Sequence, residues 1–128
     1  MKRKMIPALL LCGLLTALGA EDKGSVKKIG NPPAGAPVKE IEVKAKKYEF
    51  SPDVVEIPAN TLVKIHFKAE DKEHGFELKD FKDSCVKFKP GAPATLEFYS
   101  DKPGEYEFHC CKFCGRGHGK MKGKLMVK

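Results

Sequence analysis

Short runs of alternating apolar and polar residues make up most of this chain. Ile41, Val43 and Ala45 are interleaved with Glu40, Glu42, Lys44 and Lys46, and Thr61 to Lys68 places Val63, Ile65 and Phe67 on one face. A period of two is the mark of a strand with one side turned to a core. Turn residues punctuate the runs. Val54 to Ile57 follows Ser51-Pro52, and Pro58-Ala59-Asn60 leads into the next segment. Gly75 to Leu78, Val86 to Phe88 ahead of Pro90-Gly91, and Thr95 to Tyr99 ahead of Pro103-Gly104 continue the series, followed by Glu105 to Cys110 and Lys124 to Val127. No segment after the first twenty residues shows a long helical period. About seven or eight short strands at this spacing predict an all-β fold, a Greek-key β-sandwich.

The first forty residues break the pattern. Residues 1–20 begin with Lys2, Arg3 and Lys4, continue through an apolar stretch from Met5 to Leu18, and end in small residues before Glu21. That is the pattern of a signal peptide, with cleavage expected after Gly19 or Ala20. A membrane-crossing helix needs about 20 apolar residues, more than this stretch holds, so no stable membrane insertion is expected. Cys12 raises the alternative of a lipoprotein, but cleavage before it would leave Leu14, Leu15 and Leu18 on the mature chain. Residues 21–39, with Gly24, Gly30, Pro32, Pro33, Gly35 and Pro37, read as a flexible leader. The folded domain is expected over residues 40–128, and the protein is expected to be exported to the periplasm.

Charge alters this picture little. The chain of 128 residues carries a formal charge of +7, which falls to +4 once Lys2, Arg3 and Lys4 of the expected signal peptide are removed. The lysines are spread along the sequence and accompany no nucleic-acid motif, so a solvated surface is the simpler reading and no nucleic-acid partner is expected. Cysteine changes the picture more. Four of the five cysteines, Cys85, Cys110, Cys111 and Cys114, lie beyond the signal peptide. An even count in an exported chain suggests disulfides, yet three of the four fall within five residues and are followed by a histidine and a methionine.

Cys110, Cys114, His118 and Met121 form the string C-x3-C-x3-H-x2-M. Thiolate and thioether are soft ligands, and with imidazole they suit copper better than calcium, magnesium or manganese. Alternation along the preceding strand puts Tyr106, Phe108 and Cys110 on its core side. Gly115, Gly117 and Gly119 then allow the chain to turn back. A fixed ligand opposite this loop is still needed, and His74, at the start of a strand, is the candidate.

With Tyr48-Glu49-Phe50-Ser51-Pro52, His74-Gly75-Phe76, Lys102-Pro103-Gly104-Glu105-Tyr106, the ligand string and Lys122-Gly123-Lys124-Leu125, the chain from about Lys44 onward resembles a cupredoxin. Its loop is similar to the binuclear CuA centre of cytochrome oxidase subunit II and nitrous oxide reductase. The resemblance implies that Cys110 and Cys114 bridge two copper ions, that His74 and His118 each bind one, and that Met121 is a weak axial ligand. It implies the backbone carbonyl of Lys112 as the other axial ligand. Electron transfer is the implied function, with a redox partner such as a cytochrome or an oxidase. A centre whose positions are all filled leaves none for substrate, so no enzymatic activity is expected.

Two alternatives stay open at this level. A mononuclear site would use His74, Cys114, His118 and Met121, or Cys110 in place of Cys114. A copper carrier delivering metal to a respiratory oxidase would use an exposed Cys111 thiol. Cys111 also points away from Cys110 if the backbone stays extended, and it can then pair with Cys85 provided their Cα atoms come within about 7 Å. His66 and His109 fall on the polar faces of their strands and are not assigned to metal.

Overall fold

The computed structural model describes residues 25–113 and 115–128. In chain order the strands are β1 (Ser25–Ile29), β2 (Val38–Lys46), β3 (Glu49–Ser51), β4 (Val54–Ile57), β5 (Leu62–Ala69), β6 (His74–Leu78), β7 (Val86–Phe88), β8 (Ala94–Phe98), β9 (Gly104–His109) and β10 (Lys122–Val127). They form two five-stranded sheets, ordered β1-β8-β5-β2-β3 and β4-β10-β9-β6-β7. The arrangement is the expected all-β Greek-key sandwich. Its only helical pieces among the described residues are 3-10 turns at Lys82–Ser84 and His118–Lys120. None of the described helices is long and apolar enough to cross a membrane.

Alternation explains the burial. Val63, Ile65 and Phe67 of β5 are buried, as are Val43 and Ala45 of β2 and Ala94, Leu96 and Phe98 of β8. From the other sheet, Phe76 and Leu78, Phe108, and Leu125 and Val127 meet them. A run of aromatic rings spans the sandwich: Phe88 stacks on Phe67 at 5.3 Å between centroids, Phe67 lies 4.5 Å from Phe76, and Phe76 lies 4.6 Å from Phe108. Phe50 closes the run edge-on against Phe108 at 5.2 Å. Such ring pairs contribute about 0.5–1.5 kcal/mol each beyond the area they bury.

The structure departs from the sequence expectation in two strands. Within the stretch read as a flexible leader, Ser25–Ile29 pair in parallel with Ala94–Phe98, so β1 belongs to the sheet. Four of its five residues are exposed, which is why no alternation marks it. The folded region accordingly starts well before Glu40, and β2 itself begins at Val38. β3 spans only three residues, of which Phe50 alone is buried. The expected signal peptide, residues 1–20, lies outside the described residues.

Candidate metal centre

Three neighbouring strands, β10, β9 and β6, meet at one end of the second sheet, where β9 stops and the other two begin. Glu77 faces His109 and Leu78 faces Phe108 across β6 and β9. Carried past the ladder, this register sets Gly75 beside Cys111 and His74 beside Lys112. The contacts agree. A Cβ on Gly75 would lie 2.6 Å from Cys111 Sγ and 3.1 Å from the Lys112 nitrogen, and Lys112 Nζ reaches Glu73 Oε1 at 3.7 Å.

On the other flank, Lys122 pairs with His109. One step further the Cys110 N–H donates to the Met121 carbonyl at 3.0 Å, which makes these two residues cross-strand partners. Parity then puts His74, Cys110 and Met121 on the same face of the sheet. All three are buried, at 0 %, 1 % and 0 % exposure respectively. The Cys110 thiol donates to the Lys112 carbonyl at 3.1 Å, so the sulfur and the backbone oxygen singled out in the sequence stand side by side.

His118 begins the 3-10 turn that ends just before Met121, and the Met121 N–H donates to its carbonyl at 3.2 Å. Its half-buried ring lies 5.4 Å from the exposed ring of Phe113. Beneath this turn runs Tyr48: a Cβ on Gly117 would fall onto its ring, and one on Gly115, whose φ is +133°, onto its hydroxyl. The glycines are therefore needed for close approach as well as for turning. Cys114 lies outside the described residues, and among the described ones no three His, Cys, Asp or Glu side chains form a group able to hold a metal ion.

The chemistry of His74 bears on whether copper fits. Its Nε2 is 2.7 Å from Asp71 Oδ1, and Asp71 Oδ2 accepts the Lys47 N–H at 2.7 Å. Partial burial pushes the Asp71 carboxyl up, but the Lys47 amide and His74 outweigh it and hold the group below its ordinary value. An ionised carboxylate only accepts, so Nε2 carries the hydrogen, and in the neutral ring Nδ1 keeps a lone pair. That Nδ1 is buried with no hydrogen-bond partner. An unsatisfied buried polar atom costs about 1–3 kcal/mol. A metal ion would satisfy it, and a carboxylate on the far nitrogen is the usual support of a ligating imidazole. The residues present fit copper.

Asp71 and Tyr48 were not singled out for this role by sequence reasoning. For Asp71 the available signal was its place three residues before His74, within reach of a side chain in the same bend. The disulfide that the sequence left open is formed: Cys85 and Cys111 are bonded, with Cα atoms 6.1 Å apart. His66 and His109 are partnered away from the centre, His66 by Thr95 Oγ1 at 3.0 Å and Glu40 Oε1 at 2.8 Å, His109 by Glu77 Oε1 at 3.2 Å.

The fold has known relatives. Cytochrome c oxidase subunit 2 of Thermus thermophilus is 30 % identical over 88 residues, covering 69 % of this chain and 64 % of its own length. Nitrous-oxide reductase of Stutzerimonas stutzeri is 34 % identical over 59 residues, 46 % of this chain but 9 % of the reductase. The chain thus spans less than two thirds of the curated relatives it matches. Among solved structures, a chain of a heme-copper terminal oxidase dimer superposes with a TM-score of 0.62 at 29 % identity, covering 70 % of this chain and 65 % of that one. The family model for the cupredoxin-like domain matches residues 9–127, and the chain belongs to that family.

Proposed function

We propose that this protein is an exported copper-binding electron-transfer protein with a binuclear, CuA-like centre. The observation that carries the reading is the buried, unpartnered Nδ1 of His74 on the same face as Cys110 and Met121. Cys110 and Cys114 would bridge two ions, His74 and His118 would each hold one, and Met121 and the Lys112 carbonyl would complete the set. Copper bound there would accept and release one electron at a time.

The chain's own part is to keep that exchange from requiring movement. His74 is fixed by Asp71, Cys110 and Met121 by their strand pairing, and all three are shielded from water by the aromatic core. Limited solvent access and fixed second-sphere partners set the potential of such sites. No residue of the centre is assigned a catalytic role, and the chain would pass electrons to or from a separate redox protein, such as a cytochrome or an oxidase. A copper carrier would share these ligands and would differ by giving up copper(I) readily to a partner; the Cys111 sulfur, bonded to Cys85, is not a free thiol for such a transfer.

Copper stoichiometry with electron paramagnetic resonance on the loaded protein tests the proposal. Two coppers per chain and a spectrum shared between two nuclei are expected. One copper per chain, with hyperfine structure from a single nucleus, would sink the binuclear centre and favour a mononuclear site. Cys110→Ser is expected to abolish the two-nucleus spectrum, whereas a mononuclear site built on Cys114 would survive it.

A further inference from the structure

The segment from Cys110 to Met121 carries most of the proposed ligand set, and its described residues between the two ends are at most partly buried. Both end residues are buried, but no described residue between them is, and Phe113 is 70 % exposed. Three glycines lower the cost of alternative paths for the backbone. The segment around Cys85 is the opposite. Ser84 is fully buried and its hydroxyl accepts the Leu78 N–H at 2.8 Å and donates to the Phe81 carbonyl at 2.6 Å. Val86, on the other side of Cys85, is in the core.

We propose that the Cys85–Cys111 disulfide is the positioning element of the copper loop, tying a partly buried segment to one anchored in the core at the point where the proposed ligands converge. Cys111 stands between Cys110 and Lys112, whose sulfur and carbonyl oxygen are 3.1 Å apart. Its own sulfur fills the space next to Gly75, the neighbour of His74, where a side chain would otherwise sit. Three of the assigned ligands are therefore adjacent in sequence to a residue in the disulfide or in contact with it. With Cys111 held outward, Cys110 is held inward by strand parity, and the loop keeps its ligand geometry before metal arrives. The bond closes a separation of 26 residues, long enough for a cross-link to restrict the open chain substantially.

This deepens the copper reading and rests on it for one of two readouts. The first is amide hydrogen exchange on the copper-free full chain, comparing wild type with Cys85→Ser/Cys111→Ser and with Cys85→Ala/Cys111→Ala. Amides of residues 112–120 are expected to exchange at least about tenfold faster in both variants, with β5 and β8 unchanged. The second is transfer of copper(I) from the loaded protein to bathocuproine disulfonate, expected to be at least about tenfold faster without the disulfide. Unchanged loop exchange, or unchanged copper transfer, overturns the proposal. Lost protection in β5 and β8 in both variants also overturns it, since the bond would then support the whole fold and not the loop. The exchange arm contains no metal, so a finding of one copper per chain would refute the binuclear centre and leave that result standing.

Discussion

A hydrogen bond on the side of His74 away from the core decides what the other side can do. Asp71 accepts the hydrogen bond from Nε2–H, which in the neutral ring leaves Nδ1 as an acceptor in a buried place. Asp71→Ala should therefore weaken copper binding by roughly 10–100-fold while leaving the fold intact, as read by competition with a copper chelator and by circular dichroism. An unchanged affinity would show that burial alone orients the ring. The exposed pair Glu40–His66 gives a contrasting case at the same scale. The hydrogen bond from His66, and then its charge, lower the Glu40 pKa below its ordinary 4.5. A depressed carboxylate contributes stability that is present above its unfolded value and is lost as pH falls through the lower folded value. Carboxyl NMR should show Glu40 titrating below 4.5 in the wild type and returning towards it in His66→Ala; coincident curves would mean the pair does nothing. At this scale the candidate ligands stood out in the sequence because soft donors at fixed spacing are rare, and the Cys111 disulfide was legible because the parity of Cys111 opposes that of Cys110. Asp71 was not legible as a support, since any acid three residues from a histidine has the same spacing and only the bend shows that they meet.

The β2–β3 turn touches both the His74 side and the loop side of the proposed centre. Its Lys47 amide anchors Asp71 behind His74, and its Tyr48 ring lies under Gly115 and Gly117. Gly117→Ala should consequently destabilise the protein by about 1–3 kcal/mol, the usual cost of forcing a methyl group into a packed space. Denaturation by urea measures it, and Tyr48→Ala in the same chain should remove most of the added cost if the ring is what the methyl meets. Equal losses with and without Tyr48 would point instead to the backbone. The longer strands were readable from alternation, with β4 and β7 bounded as expected. β3 was not, because three residues with a single buried side chain show no period. For β1 the reason differs: its residues contribute pairing but scarcely any burial, so hydrophobic pattern carries no trace of it.

In the whole molecule the aromatic core couples the two sheets, and the proposed centre lies at the end where β6, β9 and β10 converge. Fold class was legible at this scale because every long strand independently repeats the same period. The extent of the folded region was not, because β1 pairs with β8 from nearly seventy residues away in sequence, and glycine and proline between β1 and β2 read only as a break. That pairing also governs how copies of the chain treat one another. β8 is almost wholly buried, and without β1 its N–H and C=O groups would form a bare sheet edge, the usual template for self-association. β1 covers that edge and presents Lys27 and Lys28 in its place, charges that discourage a further strand from adding on. A version beginning at Asn31, which keeps β2 whole, should therefore form concentration-dependent oligomers in light scattering, whereas one beginning at Glu21 should stay monomeric if the short polar strand guards that edge against aggregation.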